Sequence, residues 1–176
     1  MHRPVRLIKP DPLLENEYLA YYNEWKAAKE TIIPQASATD PSNFFAYIEK
    51  VRNAEKGIGI PASWISNSMF WLVDHNETII GAASIRHRLT PPLLQTGGHI
   101  GYGIRPSQRQ KGYATELLRL ALIQTKVLGI PKVLVTCDST NIASEKVIRK
   151  NGGKEDEDFI EENGNVVKRF WIFQNE

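Results

Sequence analysis

The chain has 176 residues, of which 41% are apolar and 24% charged, with a formal net charge of +2. This is the length and balance of one globular domain, which excludes a disordered chain and argues against nucleic-acid binding by bulk charge. No apolar run approaches the roughly 20 residues of a membrane span, MHRPVRLIKPDP lacks a secretory core, and the lone Cys137 precludes an internal disulfide, so a cytoplasmic protein is expected.

In chain order, VRLIKP (5–10) reads as a first strand, and Asp11-Pro12 opens a helix with Asp as N-cap and Pro in the first turn. Leu14, Tyr18, Tyr21, Trp25 and Ala28 recur at helical spacing and carry it to about residue 30. Asp40-Pro41 repeats the start signal, Phe44, Phe45, Ile48 and Val51 form the apolar face, and Gly57 ends the second helix. A loop (57–68) precedes FWLVD (70–74) and TIIGAASIRHRL (78–89), a hairpin pair without an Asn-Gly turn. Residues 90–98 read as another loop. HIGYGI (99–104) is a strand with Ile100, Tyr102 and Ile104 on one face and His99, Gly101 and Gly103 on the other. Glycine at alternate strand positions forfeits packing and marks a bulge or a close backbone approach. A helix from Ala114 to Leu128, a buried strand KVLVT (132–136) and a helix capped by Asn141 follow. KEDEDFI and VVKRFWIF then flank an Asn163-Gly164 hairpin turn. The order implies a single mixed α/β domain over 1–176.

The chemistry concentrates in GYGIRPSQRQKGYATELL (101–118), a strand, a basic turn and a helix start in succession. Successive backbone N–H groups at a helix start, beside Arg109 and Lys111, make an anion site suited to a pyrophosphate. The phosphate-loop and dinucleotide fingerprints are both absent, since no Gly-x-x-x-x-Gly-Lys occurs and Gly101-x-Gly103 lacks its third glycine.

RQKGYA resembles the Arg/Gln-x-x-Gly-x-Gly/Ala signature of the GNAT superfamily of acyl-CoA N-acyltransferases. KVLVTCD, Asn141-Ile142-Ala143-Ser144 and KNGG follow as that family's second block does, and the clearest resemblance spans 70–173. The resemblance implies a GNAT-like fold: a mixed, mostly antiparallel sheet with helices on both faces and a parallel pairing between 99–104 and 133–136. It also implies an N-acetyltransferase that moves an acetyl group from acetyl-CoA to an amine of a small molecule or peptide by direct attack in a ternary complex. Its pyrophosphate arm falls on Arg109, Gln110, Lys111, Gly112, Tyr113, Ala114 and Thr115. Backbone groups of Tyr102, Gly103 and Ile104 would pair with pantetheine. Asn141 and Ser144 would contact the same cofactor, and Arg149 or Lys150 its adenosine phosphate.

One position departs from the family. A tyrosine that protonates the leaving thiolate in many relatives is here Ile148, so another group or solvent takes that role. This leaves open a non-catalytic acetyl-CoA sensor as the alternative. His99 occupies the place of a common general base, and is either that base or a solvent-facing strand end. Asn141 caps a helix whether or not it also meets cofactor. His87 and His99 make at most two metal ligands, so no metal is expected. Cys137 reads as inert packing, Trp64 and Trp71 as core or rim, and the acidic run 155–158 as a solvated hairpin or a lure for a cationic acceptor. No nucleic-acid or membrane partner is expected, and a homodimer is plausible from symmetry alone.

Overall fold

The two longest apolar runs pair at the centre of the molecule in the computed structural model, which describes residues 4–174. Strands β1 (Val5–Ile8), β2 (Asn67–Asp74), β3 (Ile79–Arg86) and β4 (Ile100–Ile104) form one antiparallel sheet in that order. Strand β2 is buried on both faces, which is why its sequence is a continuous apolar run and not an alternation. Phe70 and Leu72 point to one core, and Met69, Trp71 and Val73 to the other.

The second core is aromatic. Helices α1 (Glu15–Ala27) and α2 (Phe44–Glu55) lay Tyr18, Phe44 and Tyr47 against Trp71, with Tyr21 beside Tyr18 and the Tyr18 and Tyr47 rings 4.6 Å apart. Asp11 and Asp40 each cap a short 3₁₀ turn that leads into these helices, accepting from the N–H groups of Leu13 and Ser42 at 2.9 Å. Helix α1 stops three residues early, and Ala28 is exposed. In α2, Phe45 is 67% exposed and Tyr47 takes the buried place expected for it, since positions 44, 47 and 48 share one face.

The first core lies under helix α3 (Tyr113–Val127), which packs on the first sheet and whose Leu117, Leu118 and Ala121 are fully buried. The second sheet holds β5 (Lys132–Asp138), then, after helix α4 (Ile142–Lys150), β6 (Lys154–Ile160) and β7 (Val166–Phe173), in the order β5-β7-β6. Helices thus cover both faces of the first sheet, as expected. The first sheet holds the expected hairpin, and one local reading changes. The hairpin turn after β2 is built by the Asp74 carboxylate, which accepts from Asn76 and Thr78 N–H at 2.9 and 3.0 Å. Residues 90–98 are not plain loop, because Leu93–Gly97 winds into a π-helical turn.

The expected parallel ladder between 99–104 and 133–136 does not form. A single backbone hydrogen bond, His99 N–H to Leu134 O at 2.7 Å, joins the two strands among the described residues, and they lie in separate sheets. Gly98 makes this approach possible: its φ is +62°, and a Cβ there would lie 2.7 Å from the Leu134 oxygen. Farther along, the Tyr102 side chain reaches across the gap, its hydroxyl 2.9 Å from Ser144 Oγ on α4.

Candidate active site

The separation of β4 from β5 leaves a cavity of about 690 Å³, bounded by β4, the turn before α3, the first turn of α4 and the chain after α1. That volume accommodates a large organic ligand. The turn is held from outside. Glu24 accepts from Arg105 Nε at 2.5 Å and from Ser107 N–H at 2.7 Å. Burial pushes the Glu24 carboxyl up, but the Ser107 N–H and the Arg105 guanidinium outweigh it and hold the group below its usual range.

Within the turn, Gln110 (φ +60°) and Gly112 (φ +78°) are both left-handed, so the chain coils tightly into α3. Gly112 caps α3 with no side-chain acceptor. The N–H groups of Gln110, Lys111 and Gly112 donate to no acceptor among the described residues. Unsatisfied N–H groups at the head of a 15-residue helix carry partial positive charge and suit an anion.

Tyr102, Gly103, Ile104, Arg109, Gln110, Gly112, Tyr113, Ala114, Thr115, Asn141 and Ser144 all line this cavity. Lys111 and Lys150 do not. The Lys111 ammonium folds back onto Ser107 O at 2.7 Å and Gln108 Oε1 at 3.1 Å, and Lys150 is exposed at the end of α4. Arg149 is engaged by Glu145 and Glu155 at 2.9 and 2.5 Å. Asn141 caps α4 through Ser144 N–H at 3.0 Å while also lining the cavity.

A family-level comparison decides what this arrangement belongs to. The family model described as "Acetyltransferase (GNAT) domain" matches residues 7–154. The chain belongs to the GNAT acetyltransferase family. No protein of curated function matches the sequence significantly. Among solved structures, a ribosomal L7/L12 α-N-protein acetyltransferase in complex with coenzyme A is similar over 97% of this chain and 94% of that one, at 17% identity and a TM-score of 0.69. A ribosomal-protein-S5-alanine acetyltransferase from Vibrio fischeri covers 100% and 95% at 18% identity, with a TM-score of 0.68. A spermidine/spermine N-acetyltransferase from Vibrio cholerae, solved in mutant forms, covers 97% and 94% at 19% identity, with a TM-score of 0.65.

Several side chains of this GNAT domain stand differently from their sequence-based expectation. Arg109 does not extend into open space. Its Nη1 and Nη2 meet the Glu30 carboxylate at 3.0 and 2.6 Å, its Nε donates to Ile104 O at 3.0 Å, and its guanidinium stacks 4.9 Å over Trp25. The Arg109 hydrogen bonds hold the Glu30 carboxyl below its usual range. His99 is not a solvent-facing strand end, being only 6% exposed, and it is absent from the cavity lining. Its Nδ1 accepts from Leu134 N–H at 2.9 Å, which in the neutral ring places the proton on Nε2. Burial, with Arg86 nearby, pulls its pKa down to about 4.

Ile148 is fully buried in the core. The hydroxyl pair that does face the cavity is Tyr102 and Ser144, and burial raises the Tyr102 phenol to about 12. Cys137 is buried, and that burial, with Glu145 nearby, pushes its thiol up to about 11. His87 Nε2 lies 2.9 Å from Ser68 Oγ, which itself donates to Glu55 at 2.7 Å, so that serine hydroxyl is bound away from the imidazole and is no nucleophile. Trp71 is core and Trp64 is half exposed. The acidic run is partly engaged, Asp156 accepting from Trp171 Nε1 at 2.8 Å. Sequence reasoning missed Trp25, Glu30, Thr31 and Ile33 as cavity walls. The one available signal was Gly103, whose missing Cβ leaves room for the Ile33 carbonyl.

Proposed function

We propose that this enzyme transfers the acetyl group of acetyl-CoA to an amine nitrogen of a small molecule or peptide, by direct attack within a ternary complex. The observation that carries the reading is the set of undonated N–H groups at Gln110, Lys111 and Gly112, at the head of α3, with Gln110 and Gly112 on the wall of a large cavity. Those groups hold the pyrophosphate, with the α3 dipole behind them. Backbone groups of Tyr102, Gly103 and Ile104 run along the pantetheine, and Asn141 closes the opposite wall. The relative solved with coenzyme A supports the same ligand class.

Ser144 supplies the proton that the departing thiolate takes up, replacing the hydroxyl that Ile148 cannot offer. Ser144 Oγ donates as the C–S bond breaks, held by its 2.9 Å contact with the neutral Tyr102 hydroxyl, and the proton that the amine nitrogen loses on forming the amide returns to Ser144 through solvent, so that neither hydroxyl is left ionised. His99 is a fastener between β4 and β5 in this reading and not the base, because its Nδ1 is already an acceptor for Leu134 N–H. The Cys137 thiol stays protonated at neutral pH, which favours direct transfer over an acyl-enzyme. The ammonium groups of Lys111 and Lys150 take no direct part, Lys111 acting through its backbone N–H alone, and nothing in the reaction so described calls for a metal, a nucleic acid or a membrane.

The test is coenzyme A affinity by calorimetry, with thiol release followed over a panel of amines. Gly112→Val puts a β-branched side chain at φ +78°, which costs about 1–3 kcal/mol and weakens coenzyme A binding about tenfold or more. Equal affinity in both proteins would overturn the cofactor assignment. Tight binding without turnover of any amine would replace the enzyme by a coenzyme A sensor.

A further inference from the structure

A second cavity, of about 310 Å³, opens on the far side of the segment that crosses β4. Thr31 and Ile33 line the large cavity, whereas Pro34, Gln35 and Ala36 line this one. Gly101 marks the junction: a Cβ on it would lie 3.6 Å from Pro34 Cβ and 3.8 Å from Arg86 Nη2. Gly103, on the large cavity, is two residues along the same strand face, a separation of about 7 Å. The two cavities are therefore within one small molecule's length of each other.

Arg86, at the end of β3, supplies the only charged side chain of this second cavity's wall; its neighbours there include Asn67, Ser84, Thr90 and Trp64. Its Nη1 donates to Gly97 O at 2.8 Å and Gly98 O at 3.1 Å, which ties down the π-helical turn. Its Nε and Nη2 donate to no acceptor, and no carboxylate lies within 4.0 Å, among the described residues. Neither nitrogen is among the fully buried unpartnered atoms, so both N–H faces open to the cavity, where a partly buried guanidinium held by carbonyl dipoles at one nitrogen has no countercharge. A ligand carboxylate would supply one, in the two-point geometry that arginine favours. The other wall residues are neutral, part hydrogen-bonding and part apolar, and the apolar ones, Ile65 and Leu93 among them, with the half-exposed indole of Trp64, suit the ligand's carbon skeleton.

We propose that this cavity is the acceptor subsite, and that Arg86 binds the carboxylate of a small amine that carries one. This rests on the acetyl-transfer reading for its chemistry and on Arg86 alone for its selectivity.

Matched acceptors test it: 4-aminobutyrate against n-butylamine, and L-methionine against L-methioninamide, with thiol release giving kcat/KM for each. The wild-type enzyme prefers the carboxylate member of at least one pair tenfold or more. Arg86→Gln removes that preference, Arg86→Lys keeps part of it, and coenzyme A affinity stays within twofold in both. A purely structural arginine would lower all acceptors together. Equal kcat/KM within both pairs for the wild type, or a preference that survives in Arg86→Gln, overturns the proposal. A binding measurement separates this from failure of the acetyl-transfer reading. Trp64 fluorescence is followed during titration of the free protein with 4-aminobutyrate and n-butylamine, with Trp64→Phe as blank. Absent coenzyme A binding with a carboxylate-selective response lost in Arg86→Gln sinks only the transfer reading. An identical response to acid and amine sinks the anion site. Should Arg86→Gln fail to fold, the wild-type pairs and Arg86→Lys decide alone.

Discussion

Gly101 and Gly103 lie on one face of β4, in ordinary extended backbone, yet alanine at the two positions should have opposite effects. At Gly101 a new Cβ meets only Pro34 Cβ at 3.6 Å and an Arg86 nitrogen at 3.8 Å, ordinary contacts. At Gly103 it meets the Ile33 carbonyl group, with the carbon at 3.0 Å and the oxygen closer still, and Ile33 Cβ at 3.1 Å. Carbon atoms rest about 3.5–4.0 Å apart, so Gly103→Ala drives the crossing segment off the strand by more than half an ångström. Overpacking of that order costs about 1–3 kcal/mol, against which the reduced freedom of the unfolded chain returns about 0.4–1 kcal/mol. The net loss of about 1–2 kcal/mol lowers Tm by about 2–8 °C in a domain of this size. Gly101→Ala keeps only the favourable part and melts at or slightly above wild type. Because Ile33 and Gly103 both wall the large cavity, Gly103→Ala also weakens coenzyme A severalfold, while Gly101→Ala leaves it within twofold. Differential scanning calorimetry and a coenzyme A titration on the pair decide the matter. Equal melting temperatures for the two variants would refute the close-approach argument.

Arg109→Ala and Glu30→Gln should weaken coenzyme A alike, by about three- to tenfold, because Arg109 orders the turn through Glu30 and Ile104 and does not reach for phosphate. Calorimetry that finds Arg109→Ala weakened and Glu30→Gln unchanged or tighter would show direct phosphate contact instead; the exposed pair itself contributes only about 1 kcal/mol or less to stability. His99 gives a pH signature: its folded pKa, about 4, lies below the unfolded 6.5, so the unfolded chain binds the extra proton between those values. Its contribution is complete above pH 6.5 and is lost as pH falls toward 4, up to about 3 kcal/mol. Urea unfolding at pH 5 and pH 7.5 should show a stability difference that His99→Gln reduces, and an unchanged difference would count against it.

What was legible in the sequence was whatever local chemistry decides. The Asp11 and Asp40 caps, the left-handed Gly112 before α3, the Asn141 cap and the turn around Gly164 each answer a nearby backbone need, and each is realised. Of the turn residues 109–115 singled out by pattern, all but Lys111 line the large cavity. What was not legible depends on which distant segment arrives. Glu30 is one acidic residue after a helix until the chain brings it to Arg109, 79 positions on, and then it redirects the side chain expected to face phosphate. Phe45 and Tyr47 are equally apolar, but helical spacing from Phe44 and Ile48 favours Tyr47, which packs on Trp71 while Phe45 is exposed. His99 had two readings, base or exposed end, and its burial removes the second, because Leu134 supplies an N–H donor that no spacing announces. The alternating glycines of β4 stand between these cases. Their missing side chains signalled that something approaches closely, and the identity of the visitor, the carbonyl of Ile33, came from a segment with no periodic signal of its own. A pattern of absences thus located the contact that narrows β4 to bare backbone beside the large cavity, and this is the surface the proposed thioester would use.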